Sequence, residues 1–169
     1  EMDIEIRNPW HPDDAKHYTT DRMRNDFLIQ DLFIPDKVKL VYSHVDRIIV
    51  GGVCPSEKVL TLEAGHELGV DYFLERRELG VINIGGPGTV ILDGEEYDLS
   101  YKDGLYAGMG IKEVSFKSDD PANPAKFYLN SAPAHHTYPT LKITMEMANK
   151  RPLGSVEGCN KRVINQYIH

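Results

Sequence analysis

Gly86-Pro87-Gly88-Thr89-Val90-Ile91-Leu92-Asp93-Gly94-Glu95-Glu96-Tyr97 reads as a β-hairpin. Thr89-Val90-Ile91-Leu92 is a β-branched apolar run. Asp93-Gly94 is the pair that best tolerates two left-handed turn residues, and Glu95 to Leu99 is the returning strand. The same grammar repeats outward. Upstream, Val38 to Ser43 alternates, Arg47 to Val50 ends at Gly51-Gly52, Lys58 to Leu62 is strand-like, and Gly80 to Ile84 runs into Gly85-Gly86. Downstream, Leu105-Tyr106-Ala107 precedes Gly108-Met109-Gly110, followed by Glu113 to Phe116 and Lys126 to Leu129. Short strands with turn chemistry about every 8–12 residues predict a sandwich or barrel. One capped helix is expected over Thr20 to Ile29, with Thr20 or Asp21 as N-cap and Met23, Phe27 and Leu28 on one face. Residues 1–19 read as an irregular N-terminal segment, 20–130 as the β lobe, and 131–169 as an extended arm in which only Val163 to Ile168 begins to alternate.

Composition agrees with one globular unit. The 169 residues are 41% hydrophobic and 27% charged, enough apolar material for one sizeable core. There is no apolar run of the length a transmembrane helix needs, and Glu1 to Ile6 lacks the basic and apolar regions of a secretory signal. The formal net charge of −7 disfavours nucleic acid and anionic membrane as partners, and says nothing about small molecules. Cys54 and Cys159 are widely separated, without C-x-x-C spacing, and are expected as free thiols of a cytoplasmic protein.

The hairpin and the glycine-bounded strands fit a cupin, the double-stranded β-helix or jelly-roll barrel. Cupins that bind metal use a His-x-His, a Glu a few residues on, and a later His, all turned inward by the two-residue strand period. Here the first ligand stretch reads Tyr72-Phe73-Leu74-Glu75-Arg76-Arg77-Glu78 and the last reads Ile111-Lys112-Glu113. Two carboxylates beside two arginines make a poor shell for a divalent ion, so Glu75, Arg76, Arg77 and Glu78 are expected to form a salt-bridged strand face. No metal site is expected in this chain. His44, beside Asp46, is a candidate base or a hydrogen-bonded strand-end residue. His135 and His136 are adjacent and point apart on an extended segment. His11, His17 and His66 have no partner at metal spacing. G-x-S-x-G is absent, and Gly85-Gly86-Pro87-Gly88 lacks the Gly-Lys-Ser/Thr ending of a phosphate loop.

Longer strings carry a more specific resemblance. Val41-Tyr42-Ser43-His44-Val45-Asp46-Arg47-Ile48-Ile49-Val50-Gly51-Gly52, then Leu68 through Gly86, Pro124-Ala125-Lys126-Phe127-Tyr128, and Ala132-Pro133-Ala134-His135 with Thr137-Tyr138-Pro139-Thr140 resemble the 5-keto-4-deoxyuronate isomerase family. The resemblance runs from about Thr20 to the C-terminus. It implies the first lobe of a two-lobed cupin and a ketol-isomerase. The reaction implied interconverts 5-dehydro-4-deoxy-D-glucuronate and 3-deoxy-D-glycero-2,5-hexodiulosonate in pectin-type polyuronide breakdown. It further implies a homo-hexamer and a zinc ion in the second lobe, whose ligand segment is not in this sequence. The chain alone is therefore expected to be inactive, its catalytic residues unknown, and its metal ligands none. The substrate is an anion and needs a fixed cation, which makes Arg162 in Asn160-Lys161-Arg162-Val163-Ile164 the candidate substrate contact. The alternative is a non-catalytic cupin scaffold or oligomerisation module. A uronate sensor that keeps only a pocket is a third reading.

Overall fold

A computed structural model describes residues 2–167. The chain opens with strand β1 (Met2–Arg7) and two short helices, α1 (Pro12–Ala15) and α2 (Thr20–Phe27). The main strands follow: β2 (Val38–Ser43), β3 (Ile49–Val53), β4 (Leu60–Thr61), the single turn α3 (Gly65–Leu68), β5 (Arg77–Asn83), β6 (Gly88–Leu92), β7 (Glu95–Leu99), β8 (Gly104–Ala107), β9 (Val114–Ser118) and β10 (Phe127–Pro133). The arm adds β11 (Leu141–Ile143), β12 (Asn149–Leu153) and β13 (Arg162–Gln166).

Two sheets enclose the core. The larger has the order β1-β2-β3-β10-β5-β8-β11 and the smaller β4-β9-β6-β7, while β12 and β13 form a separate hairpin. Apart from β1, which runs parallel to β2, the pairings are antiparallel. Non-sequential neighbours, β10 between β3 and β5, and β9 between β4 and β6, give the jelly-roll crossing of a cupin barrel.

Alternation decides which face fills the barrel. In β5 the side chains of Arg77, Leu79, Val81 and Asn83 are buried, while Glu78, Gly80 and Ile82 lie on the outer face. Phe127, Leu129 and Ser131 do the same in β10. Phe73, Phe116 and Phe127 are the largest fully buried side chains, and the rings of Phe116 and Phe127 tilt against each other at 5.3 Å.

Several expectations are corrected. Residues 1–19 are not irregular, since Ile4 and Met2 pack on the core and draw Met2–Arg7 into the sheet edge. The α2 N-cap is Thr19, whose Oγ1 accepts from the Arg22 N–H at 3.3 Å. Strand β3 does not stop at Gly51-Gly52 but runs through them, because the Leu32 backbone crosses there so closely that a Cβ on Gly52 would lie 2.3 Å from the Leu32 carbonyl oxygen. Only Leu60–Thr61 of the Lys58–Leu62 segment pairs. Strand β10 carries the barrel past residue 130 to Pro133. The arm folds back on the lobe, with Ile143 and Ala148 buried and the Tyr167 hydroxyl donating to the Lys102 carbonyl.

Candidate functional site

The position where a cupin holds its metal is built from apolar side chains. Leu79 and Val81 of β5, Val90 of β6, Leu105 of β8, Phe116 of β9 and Leu129 of β10 project into the barrel and are at most 2% exposed. None of these side chains can ligate a cation. Among the described residues no cluster of three His, Cys, Asp or Glu side chains is placed to hold an ion. The inward side chains named here supply no ligand for zinc, which the family resemblance implies in the second lobe and not in this barrel.

Among the described residues the histidines are peripheral. His11 caps α1, its Nδ1 accepting from the Asp13 N–H at 3.2 Å. His44 is exposed in the β2–β3 turn with its ring edge-on to Tyr42 at 5.2 Å. His17, His66, His135 and His136 are exposed, the last against Tyr138 at 4.9 Å. Cys54 is buried and Cys159 exposed, both as free thiols. Burial pushes the Cys54 thiol up, against the lowering effect of Lys126. Ile111, Lys112 and Glu113 precede β9, and Lys112 and Glu113 use their N–H groups to bind Asp93 Oδ1 at 3.0 and 2.8 Å. Arg162 lies exposed at the start of β13, its Nη1 donating to Asn160 Oδ1 at 3.2 Å.

The polar chemistry is elsewhere, around β5. Glu75 to Glu78 is not the expected salt-bridged strand face, because β5 begins only at Arg77 and the four side chains take separate surroundings. Glu75 and Arg76 approach no closer than 3.8 Å at the surface. Arg77 is buried, 7% exposed. Its Nε donates to Ser131 Oγ at 3.1 Å, and its Nη2 donates to the Ser131 carbonyl at 2.9 Å and to the Arg47 carbonyl. Burial lowers its guanidinium below the usual value, Tyr42 opposes that, and the charge of Arg47 adds to it. Glu78 faces the opposite side of the sheet and accepts from the Tyr106 hydroxyl at 2.7 Å.

Two cavities flank β5 on these opposite sides. On the outer sheet face a cleft of about 640 Å³ is floored by Glu78, Gly80, Tyr106 and Asn130 and roofed by Tyr138 to Leu141 of the arm. Burial first, then the bond to Glu78, pushes the Tyr106 phenol up to about 12, so it is a hydrogen-bond donor and not a base at neutral pH. At the barrel rim a smaller cleft of about 180 Å³ is lined by Tyr42, Arg47, Glu67, Arg76 and Arg77 among others. Sequence reasoning placed Arg76 and Arg77 in a salt-bridged strand face and did not single out Tyr106. The alternation of β5 was the signal available, since it places Arg77 inward and Glu78 outward.

A jelly-roll barrel with an apolar interior and polar groups at its rim and outer face defines a ligand-poor cupin lobe. The chain belongs to the KduI/IolB family, whose profile matches residues 28–169. It is 58% identical over 165 residues to a 4-deoxy-L-threo-5-hexosulose-uronate ketol-isomerase of Lachnoclostridium phytofermentans, covering 98% of this chain and 60% of that protein. It is 59% identical to the protein of that name from Lachnospira eligens and 52% to that from Yersinia pestis, again over 98% of this chain and 60% of each relative. The chain thus spans about 60% of the length of these relatives. Among solved structures an IolB-like protein from Salmonella typhimurium superimposes with a TM-score of 0.54 at 13% identity, over 72% of this chain and 44% of that one, a likeness of fold alone.

Proposed function

We propose that this chain is the metal-free first lobe and linking arm of a two-lobed ketol-isomerase. Its reaction would interconvert 5-dehydro-4-deoxy-D-glucuronate and 3-deoxy-D-glycero-2,5-hexodiulosonate in the breakdown of pectin-type polyuronides. The observation that carries this reading is the identity of 58% over almost the whole chain to a relative of that name. Such an isomerisation moves a proton between adjacent carbons through an enediol. It needs a base for the carbon-bound proton and an electrophile for the oxyanion. The middle of this barrel offers neither: its inward side chains there are hydrocarbon, the inward Arg77, Asn83 and Ser131 are held in hydrogen bonds to neighbouring groups, and the phenol of Tyr106 lies on the outer face and stays protonated at neutral pH. In this reading the lobe supports a reaction centre in the second lobe, where zinc is bound, and the whole works as a cytoplasmic homo-hexamer. Arg162 supplies a cation for the substrate carboxylate, and its exposed place on β13 leaves its guanidinium accessible.

The test is a chimera in which this chain replaces the matching segment of the Lachnospira eligens relative. We expect the chimera to isomerise the authentic substrate and the 169-residue chain alone to give no turnover above a protein-free blank. A folded but inactive chimera, or turnover by the chain alone, would overturn the reading. In the same chimera Arg162→Ala is expected to raise KM about tenfold with kcat little changed, as befits a lost ground-state contact.

A further inference from the structure

We propose that the rim cleft between Arg47, Arg76 and Arg77 binds a small oxyanion, a carboxylate or a phosphate. The inference stands apart from the isomerase reading.

The first support is Arg77. A buried guanidinium ordinarily has a carboxylate partner. Arg77 has none within 4.0 Å among the described residues. Neutral acceptors on Ser131 and Arg47 hold its Nε and Nη2 in place. Its Nη1 has no acceptor among the described residues. Among the described residues no buried side-chain nitrogen is left without a partner, so Nη1 is not sealed in the core, and Arg77 lines the cleft. With Nε and both Nη2 protons engaged, the fixed guanidinium keeps its Nη1 donors for an oxyanion, with little loss of side-chain entropy.

The second support is the wall opposite. Val45-Asp46-Arg47-Ile48 forms a turn in which Asp46 and Arg47 both have φ of 54°, a left-handed pair built without glycine. This costly backbone places the Arg47 side chain at the cleft, and the bond from Arg77 Nη2 to the Arg47 carbonyl ties the two residues together. Arg76 completes the cationic wall, and its one carboxylate contact, Glu75 at 3.8 Å, is largely exposed. Glu67 lines the same cleft but makes no ion pair with an arginine among the described residues. Three guanidinium groups against one carboxylate create a positive pocket on a chain of net charge −7. At about 180 Å³ the cleft has room for a phosphate or for the carboxylate end of a sugar acid.

The experiment titrates the protein at low ionic strength with inorganic phosphate, D-galacturonate and, as the uncharged control, D-galactose. Binding is followed calorimetrically and by the Arg77 Nε–Hε resonance. We expect a Kd of about 1 mM for at least one anion, weakened by salt, with the Arg77 signal shifting and galactose inert. Phosphate alone would identify a phosphoryl ligand, and galacturonate alone a carboxylate ligand. Arg47→Gln with Arg76→Gln alters two exposed side chains and leaves the Arg77 bonds in place, so the fold is retained. This double variant is expected to bind the anion at least about tenfold more weakly, whereas Lys112→Gln, an exposed cation elsewhere, leaves affinity unchanged. Failure of both anions to bind, equal binding of galactose, or an equal loss in the Lys112 variant would overturn the proposal.

Discussion

Arg77 carries a full charge into a site 7% exposed, and its three hydrogen bonds close the barrel rim by joining β5 to β10 and to the β2–β3 turn. Arg77→Met keeps the length but removes every donor, leaving the Ser131 and Arg47 carbonyls without this partner. We expect a loss of about 2–4 kcal/mol in urea unfolding, most of it from acceptors left unpaired. Tyr106 gives a second test. Its phenol titrates at about 12 in the folded protein, against about 10 unfolded. The folded state therefore holds the proton more tightly between these values. The stabilisation is complete below about pH 10 and is lost as pH rises toward 12. Absorbance titration should show Tyr106 among the late-ionising tyrosines, beside Tyr97 and Tyr167, and Tyr106→Phe should remove its share while flattening the alkaline loss of stability. Neither role was legible from residue type alone. Arg76-Arg77 looks like a surface pair until the β5 register sends one side chain inward, and Tyr106 gains meaning only when β8 pairs with β5 and brings it to Glu78.

At the scale of elements, local chemistry and long-range packing divide the fold between them. The β6–β7 hairpin was legible because Asp93 (φ 48°) and Gly94 (φ 89°) form the expected left-handed turn. Strands β2, β5 and β9 follow from their own apolar spacing to within a few residues. Strand β3 departs from this pattern. Its glycines look like a stop signal locally, but in the fold Gly52 is the gap through which the Leu32 segment passes, and Gly51 lies against the Leu40 side chain. Gly52→Ala would set a methyl group against that backbone, so we expect about 1–3 kcal/mol of destabilisation in thermal or denaturant melts. Gly51→Ala meets the side chain of Leu40 at 2.5 Å, a neighbour better able to turn aside, and should be milder. The arm was read as extended, with alternation only from Val163, because β11 is only three residues long and β12 is exposed throughout, and pairing rather than sequence period defines them.

For the whole molecule, the interior and the exterior of the barrel have exchanged the roles a metal-binding cupin gives them. The middle of the interior is hydrocarbon, and the chemistry lies at the rim and on the outer face under the arm. This inversion was legible in part, since the missing His-x-His and the hydrophobic alternation were visible while the two clefts were not. The order of the large sheet has one more consequence. Strand β1, at the beginning of the described residues, lies along β2 in a parallel register, with Asp3 and Glu5 turned to solvent. Its charged outer side discourages a further strand from adding there. Deleting residues 1–7 would unmask the amides of Val38 to Ser43 as a bare template, and we expect light scattering to show larger, concentration-dependent species than the intact protein forms under the same conditions. The first few residues thus serve as a selvedge: they contribute little to the weave itself, yet keep the cloth from being stitched to its neighbour.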